Sequence, residues 1–222
     1  TPRIEITLSS GTVYADYLSG SGTVAHTYRY SVNTSELDAD GIAINTSIDL
    51  NSGTILDVND NVTTLTFAAP VTTGINIDAV APSITSVPAP ADGTYILGQN
   101  IDFNVSFTDN ITVTGTPRLM ITLGSGTVYA DYLSGSGGPT LIFRYTVLGT
   151  HSDLDGIVLN PSVDLNSGSL DDANGNNSAL SFTLPNTTSI LVDGVVPSIS
   201  SITTPSIGTF KSGDIMDFTV VY

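Results

Sequence analysis

An internal repeat constrains the fold of this chain more than any other feature of its sequence. The stretch SGTVYADYLSGSG occupies residues 10–22 and recurs, letter for letter, at residues 125–137. A shift of 115 residues aligns residues 1–107 with residues 116–222 without a gap, and about half of the aligned residues are identical. A period of this length corresponds to a whole domain and not to one turn of a solenoid. The chain is therefore built from copies of one domain.

Stretches that contain proline mark the boundaries between the copies. IDAVAPSITSV at residues 77–87 has its counterpart in VDGVVPSISSI at residues 192–202, and such stretches are typical of linkers. We divide the chain into the C-terminal two thirds of one repeat (1–80), a complete repeat (81–195) and the N-terminal strands of a third (196–222). Because both ends of the chain fall inside repeats, we expect the native protein to continue in both directions.

Each copy has the sequence pattern of an all-β protein. Runs such as IDFNVSF, RLMITL and TLIFRYTV alternate in character, are rich in β-branched and aromatic residues, and are separated by Gly, Ser, Asn, Asp or Pro. About seven short strands in a repeat of about 115 residues predict an all-β fold of tandem immunoglobulin-like β-sandwich domains. The chain has no cysteine and no tryptophan. The prediction therefore depends on the number and spacing of the strands alone.

The charge of the chain limits its partners. The formal net charge is −16, which argues against nucleic acid and anionic membranes. No apolar run is long enough to span a membrane. Of the 21 acidic residues, 19 are aspartate. Aspartate closes turns on its own backbone and also provides compact oxygen ligands for Ca²⁺, so this bias indicates acidic loops, some of them able to bind metal.

Groups on which most active sites depend are not shared by the copies. The two histidines, His26 and His151, align with a leucine and a glutamate, and the only lysine, Lys211, aligns with an isoleucine. The sequence has no nucleophile elbow, phosphate-binding loop or zinc-ligand spacing. Because a repeated site would lack a base that titrates near neutral pH, we predict that the chain is not an enzyme.

Two acidic loops in each repeat carry oxygen atoms at alternating positions. The first is D-x-D-G at residues 38–41 and 153–156, and the second is D-x-N-x-N at residues 57–61 and 172–176. Ca²⁺ takes six to eight oxygen ligands, whereas the simpler interpretation is that Asp and Asn cap β-turns in which Gly supplies positive φ. Both interpretations suit the second loop equally. The first loop favours metal binding, because a linker aspartate is expected beside it.

Strands that alternate in direction place the first loop at the end where the chain leaves the domain. Asp38, Asp40 and the linker residue Asp78 would then converge on one junction with Asp109, which is expected in the loop TDNITVTGTP (108–117) of the next repeat. Four such carboxylates repel one another unless a cation neutralises them, so we predict Ca²⁺ between the repeats. The candidate ligands are Asp38, Asp40, Asp78, Asp109, Asp153, Asp155 and Asp193 and, in the second loop, Asp57, Asn59, Asp172 and Asn174.

The identical stretch itself is interpreted as scaffold. It follows a short hairpin loop, and its strand carries Asp16, which has arginines on both neighbouring strands, Arg3 and Arg29. All three residues recur 115 positions later. We therefore expect Asp16 and its copy Asp131 to form cross-strand ion pairs.

The order of the motifs resembles a known class of repeats. GTPRLMITLGSGTVYADYLSGSG is followed by FRYTV, DLDGI, SLDDANGNN and VDGVVPSI. This order resembles the immunoglobulin-like tandem repeats of giant bacterial surface proteins, including large repetitive adhesins and repeats of the cyanobacterial swimming-protein type. The resemblance covers the whole chain. It implies an extracellular stalk of many domains, often rigidified by calcium, at the cell surface or secreted, without enzymatic activity.

The sequence thus favours a spacer in an adhesion stalk, whose partners are the neighbouring repeats of the same chain. Carbohydrate or a host surface would be bound by modules outside residues 1–222. Two alternatives remain open: the domains could themselves bind carbohydrate or a host receptor, or they could be subunits of a self-assembling filament or surface layer. Near-identical copies favour the spacer, because a dedicated binding face tends to be individual to one domain.

Overall fold

The computed structural model describes residues 1–222, and every regular element in it is a β-strand. Residues 1–80 contain strands β1 (Arg3–Leu8), β2 (Gly11–Ser19), β3 (Thr27–Arg29), β4 (Leu37–Asp38), β5 (Ala43–Asp49) and β6 (Ile77–Asp78). Four of them form a sheet in the order β3-β2-β1-β5, and β4 pairs with β6. Strand β3 is therefore an edge strand, with β2 as its only neighbour.

Residues 81–195 contain ten strands, and these form two sheets. The strands are β7 (Ile84–Ser86), β8 (Gly93–Ile96), β9 (Asn100–Thr114), β10 (Arg118–Leu123), β11 (Gly126–Ser134), β12 (Gly138–Thr146), β13 (Ser152–Asp153), β14 (Val158–Asp164), β15 (Ser169–Asp171) and β16 (Ile190–Asp193). The larger sheet has the order β14-β10-β11-β12-β9-β15, and β7 also pairs with β9. The smaller sheet has the order β13-β16-β8, in which β16 and β8 are parallel.

Residues 196–222 contain only two strands, β17 (Ser201–Thr203) and β18 (Thr219–Val221), which pair with each other. Neither of them pairs with a strand of the preceding residues. The side chains of both strands are exposed.

The two copies of the central hairpin have the same register. Residue Arg3 lies opposite Asp16 in the β1–β2 pair, and Arg118 lies opposite Asp131 in the β10–β11 pair. The irregularity in the pairing of β1 with β5, between Ile4 and Ile6, recurs at the equivalent place between β10 and β14. Two copies in which about half of the aligned residues are identical therefore form the same backbone pairs.

One core holds residues 81–195 together. It contains 20 buried hydrophobic residues, contributed by both sheets. On β9 alternate side chains point inward, so that Ile101, Phe103 and Val105 are fully buried. Burial of each such side chain stabilises the fold by about 1.5–3 kcal/mol. Residues 1–80 have a much smaller core, with four buried residues, Ile6, Leu8, Ala15 and Ile42.

The all-β prediction is confirmed, since the structure has several sheets and no helix, as a β-sandwich class requires. It follows that no helix of the length and apolarity needed to cross a membrane is present. One local expectation differs from the structure. Asp109, which the sequence assigned to a loop, lies inside β9, because this strand continues to Thr114 by pairing with β15.

The expected ion pairs of Asp16 and Asp131 are not formed. The guanidinium Nε of Arg3 lies 2.7 Å from Oδ2 of Asp49, on β5, and Arg118 makes the equivalent bond to Asp164 at 2.8 Å. Strand pairing places Arg3 opposite both aspartates. The prediction therefore placed Arg3 beside the correct residues across the sheet, but the aspartate that it binds is Asp49 and not Asp16.

Stacking on an aromatic ring accompanies this choice of partner. The guanidinium carbon of Arg3 lies 3.8 Å from the centre of the Tyr14 ring, and that of Arg118 lies 3.8 Å from the centre of the Tyr129 ring. A cation over the face of a ring is attracted by its quadrupole. The arginine thus binds an aspartate of β5 or β14 while it covers a tyrosine of β2 or β11.

Candidate functional site: the junction between repeats

The first aspartate of each D-x-D-G loop closes that loop. Asp38 is buried, and its Oδ1 accepts a hydrogen bond from the Gly41 N–H at 2.8 Å while its Oδ2 accepts one from the Ser9 N–H at 2.9 Å. The copy Asp153 accepts from Gly156 at 2.7 Å and from Gly124 at 2.8 Å. Each carboxylate therefore ties its loop to the hairpin turn after β1 or β10. These are the bonds expected if the aspartate caps a β-turn.

The glycine of the motif is required by a close approach of the backbone. Gly41 has a φ of 102°, and a Cβ on it would lie 2.5 Å from Cα of Thr73. Gly156 has a φ of 108° and the same close approach to Thr188. The third residue, Asp40, is exposed and lies 3.4 Å from Oγ of Ser9. Asp155 is also exposed. Only these exposed aspartates of the motif keep a carboxylate directed to solvent.

The D-x-N-x-N loops are folded around their first aspartate. Oδ1 of Asp172 accepts hydrogen bonds from the N–H groups of Asn174 and Asn176, both at 2.8 Å, and Oδ2 accepts one from Nδ2 of Asn176 at 2.7 Å. Asp57 makes the same three bonds to Asn59 and Asn61, at 2.8 to 2.9 Å. A pattern of five residues therefore specifies this loop in both copies.

These bonds favour the ionised form of each aspartate. Burial alone would raise the pKa of Asp172, but the side chain and N–H of Asn176 and the N–H of Asn174 outweigh it and keep the pKa below its usual value. The pKa of the exposed Asp57 is lowered mainly by the side chain of Asn61. Both loops thus hold a fixed negative charge at neutral pH.

The loop of the central repeat contacts the linker that precedes this repeat. Nδ2 of Asn174 donates to Oδ2 of Asp78 at 2.7 Å, and Nδ2 of Asn176 donates to the main-chain oxygen of Asp78 at 3.2 Å. Four residues after Asp78 along the linker, the main-chain oxygen of Pro82 accepts a hydrogen bond from the Ala179 N–H at 2.8 Å. These bonds join residues that are almost one repeat apart in sequence. Of these bonds, the two to Asp78 join residues 1–80 to residues 81–195.

A shallow pocket lies at this junction. Its volume is about 220 Å³, and two predicted ligands from the first repeat, Asp38 and Asp78, line it together with Asn174 from the next repeat. The remaining lining residues are Leu37, Ala39, Asn76 and Ile77. Asp109 does not line this pocket, and its Oδ1 accepts from the neighbouring Asn110 N–H. The structure therefore brings Asp38 and Asp78 together, as predicted for the junction. The contribution of the next repeat comes from Asn174 of its D-x-N-x-N loop and not from Asp109.

Most carboxylate oxygens of this pocket already accept hydrogen bonds, whereas Ca²⁺ takes six to eight oxygen ligands. Both carboxylate oxygens of Asp38 are occupied by backbone N–H groups, and Oδ2 of Asp78 is occupied by Asn174. The structure contains no group of three or more His, Cys, Asp or Glu side chains placed to hold a metal ion. Calcium at the junction stays a prediction. Its binding would require these hydrogen bonds to be exchanged for metal ligands.

The second junction contains only half of these parts. Asp193 ends β16 and lies opposite Ser152, as Asp78 lies opposite Leu37 in the first junction. Its Oδ1 accepts from the Val195 N–H at 3.3 Å, and it has no asparagine partner. The D-x-N-x-N loop that would contact it aligns with positions beyond residue 222. Asp193 is therefore an internal control for Asp78, because it occupies the equivalent position but has no contact with an asparagine.

Two residues of this loop were not predicted from the sequence. Asn176 was not among the candidates, although its side chain bonds both to Asp172 and to the linker. Asp171 has a buried Oδ1 without a hydrogen-bond partner. A signal for Asp171 was present, because the other copy has a leucine, Leu56, at this position. A carboxylate that replaces an apolar residue beside a turn is a change that composition alone does not reveal.

The groups at the junction are carboxylates, amides and main-chain oxygens, which can hold two repeats together and attract a cation. Comparisons of the chain with models of protein families, with curated proteins and with solved structures found no match.

Proposed function

We propose that this chain is part of a non-enzymatic extracellular stalk of a large bacterial surface adhesin. Its tandem immunoglobulin-like domains would hold a distal module away from the cell. The observation that carries the proposal is the hydrogen bonding of the linker residue Asp78 by Asn174 and Asn176 of the next repeat. A spacer needs a defined angle between neighbouring domains, and these bonds restrain the linker on which that angle depends.

The immunoglobulin-like part of the proposal is supported by the arrangement of the central repeat. Two sheets of seven and three strands enclose a single core, in a unit of about 115 residues. The stalk role is supported by the repetition of register between the copies. A function that depends on length is served by equivalent units, whereas a dedicated site needs only one of them.

Calcium is part of the proposal, as the ion that would stiffen the junction. Asp38, Asp40 and Asp78 would supply carboxylate oxygens and the side chain of Asn174 an amide oxygen, all of them oxygen donors that suit Ca²⁺. The ion would neutralise the negative charge that the acidic loops accumulate there. The ion would replace hydrogen bonds of Asp38 and Asp78 by metal ligands, and it would then hold the linker against the loop of the next repeat.

The role of the hydrogen bonds is tested by a matched pair of substitutions. Asp78→Ala removes an aspartate that contacts the next loop, and Asp193→Ala removes its counterpart, which has no such partner. Small-angle X-ray scattering of the full chain measures the distribution of interatomic distances. We expect Asp78→Ala to broaden the distribution and Asp193→Ala to leave it unchanged. Equal broadening by both substitutions would reject the junction as the element that sets the angle.

Calcium is tested separately, by the melting temperature of the full chain and its distribution of interatomic distances from small-angle X-ray scattering, each measured in calcium and in EGTA. We expect a higher melting temperature and a narrower distance distribution with calcium, and a loss of both effects in the Asp78→Ala chain. If neither quantity changes between calcium and EGTA, the metal is excluded while the hydrogen-bonded junction stands. If calcium acts equally on the Asp78→Ala chain, the ion binds elsewhere.

A further inference from the structure

The D-x-N-x-N loop of the central repeat contains the only asparagine of the chain that is followed by a glycine, Asn174 before Gly175. Glycine has no Cβ to shield its own nitrogen or to restrict the backbone around it. A Cβ on Gly175 would have no atom within 4 Å, and Asn174 is exposed, so both residues are accessible to water. The other copy of this loop has Asn59 before Asp60. The two loops therefore differ in the one pair that favours a reaction between side chain and main chain.

The reaction is the loss of ammonia from the side chain of Asn174. The main-chain nitrogen of Gly175 gives its proton to the solvent and forms a bond to Cγ of Asn174. The bond between Cγ and Nδ2 then breaks, and Nδ2 takes up a proton and leaves as ammonia. Water opens the resulting cyclic imide at either of its carbonyl carbons, which yields aspartate or isoaspartate at position 174. Neither step needs an oxidant, a reductant or an enzyme.

Two hydrogen bonds oppose this reaction while the junction is closed. Nδ2 of Asn174 donates to Oδ2 of Asp78 at 2.7 Å, which fixes the side-chain amide on the linker. The Gly175 N–H donates to the main-chain oxygen of Asp172 at 3.3 Å, slightly longer than a typical hydrogen bond of this kind. The attacking nitrogen is therefore held only weakly, and the stronger protection is the bond to Asp78. This protection is lost whenever the linker moves away from the loop.

The product of the reaction cannot make the bond that holds the linker. Position 174 would carry a carboxylate in place of the Nδ2 donor, and this negative charge would face Oδ2 of Asp78, where like charges repel. Isoaspartate would also lengthen the main chain by one atom, inside a loop that is closed by the N–H groups of Asn174 and Asn176 on Asp172. Both products therefore weaken the contact between the loop and the linker.

We infer that Asn174 is a site of spontaneous deamidation whose rate is set by the opening of the junction. The closed junction protects the amide, and each opening exposes it to the reaction. Because the product cannot restore the bond to Asp78, the modification is irreversible and frees the linker. The effect on the linker rests on the hydrogen-bonded junction of the proposed function, whereas the reaction itself does not. The extent of modification therefore increases with the age of the chain and with the frequency of opening.

Peptide mapping by mass spectrometry, after incubation of the full chain at mildly alkaline pH, measures the reaction at each asparagine. We expect Asp78→Ala to accelerate the reaction at Asn174 several-fold and to leave that at Asn59 unchanged. In the Asp78→Ala chain, Asn174 should react several-fold faster than Asn59, and a further Gly175→Asp change, which copies the other loop, should abolish this difference. The inference is overturned if Asp78→Ala does not accelerate the reaction, or if Asn174 then reacts no faster than Asn59.

The effect on the linker is tested by Asn174→Asp, which introduces one product directly. In small-angle X-ray scattering in EGTA, we expect it to broaden the distribution of interatomic distances as Asp78→Ala does. Ala173→Asp adds the same charge to the same exposed loop but keeps the amide of Asn174, and we expect no broadening.

Three outcomes of the scattering experiment would overturn the inference. If Asp78→Ala broadens the distribution and Asn174→Asp does not, the junction stands and the inference fails. Equal broadening by Ala173→Asp would show that added charge alone opens the junction. If neither Asp78→Ala nor Asn174→Asp broadens the distribution, the hydrogen-bonded junction is rejected and the inference with it.

Discussion

Residues 1–80 and residues 81–195 share the same strands in the same register but not the same core. Leu119 on β10 is fully buried, whereas its counterpart Ile4 on β1 is only partly buried. Residues 81–195 include β7, β8 and β9, and no segment of residues 1–80 aligns with these strands. The pairing of β1 with β2 and of β10 with β11 therefore depends only on strands adjacent in sequence. The burial of their side chains depends on strands that are distant in sequence.

The largest expected effect compares Phe103 with Phe218. Phe103→Ala opens a cavity in the complete core, and we expect it to lower the free energy of unfolding by about 3–5 kcal/mol. Phe218→Ala removes the same side chain from an exposed position, and we expect a change within about 0.5 kcal/mol. Urea denaturation at low protein concentration measures both. Similar losses for the two substitutions would show that residues 196–222 are packed in a core.

A smaller effect compares Tyr145 with Tyr30 at alkaline pH. Burial raises the pKa of Tyr145 to about 12, and its hydroxyl lies 2.7 Å from Nδ1 of His151. Because the folded-state pKa lies above the value of about 10 in the unfolded chain, the unfolded state loses its proton first. The stabilisation is therefore complete below about pH 10 and is lost as the pH rises towards 12.

Substitution of each tyrosine isolates this contribution. We expect Tyr145→Phe to flatten the fall of stability between about pH 10 and 12. Burial also raises the pKa of Tyr30, together with its hydrogen bond to Glu36. Because Tyr30 lies beside the smaller core, we expect Tyr30→Phe to flatten the curve less. Denaturation midpoints measured across this range provide the comparison, and an identical effect of the two substitutions would contradict the difference in burial.

The smallest expected effect concerns the turn of the D-x-N-x-N loop. Asp60 has a φ of 65° and its counterpart Gly175 a φ of 86°, so both copies use the left-handed region. A Cβ on Gly175 would meet no atom within 4 Å. Since the other copy tolerates aspartate, we expect Gly175→Asp to cost less than about 1 kcal/mol. Gly175→Val should cost about 1–3 kcal/mol, because a β-branched residue resists this conformation. Thermal denaturation distinguishes the two outcomes.

Several features of the fold could be predicted because local sequence specifies them. Alternating runs predicted the strands, and the hairpin loop fixed which residues of β1 and β2 face each other. The position of Asp16 between two arginines was also predictable. Its partner was not, because Arg3 lies opposite Asp16 and Asp49 at once, and the second aspartate comes from a strand 46 residues away.

The candidate site was less predictable for the same reason. Asp38 has both of its carboxylate oxygens bound to N–H groups, one of which belongs to Ser9, 29 residues earlier. The contact of Asp78 with Asn174 spans 96 residues. Spacing within a motif identifies oxygen atoms that are close along the chain. It does not identify which of them already have a donor from a distant segment.

The sequence by itself determined the repeat, the strands and the turns, because these depend on side-chain alternation, glycine and the Asx hydrogen bonds of a few consecutive residues. Only the tertiary structure decided which of two equivalent residues is buried, which aspartate an arginine binds and which loop contacts the linker. The physical reason is that burial and junction contacts depend on segments far apart in sequence, and identical stretches such as residues 10–22 and 125–137 receive different neighbours. Within residues 1–222, the same letters therefore lie beside a core cluster of four buried residues in one repeat and beside one of 20 in the other.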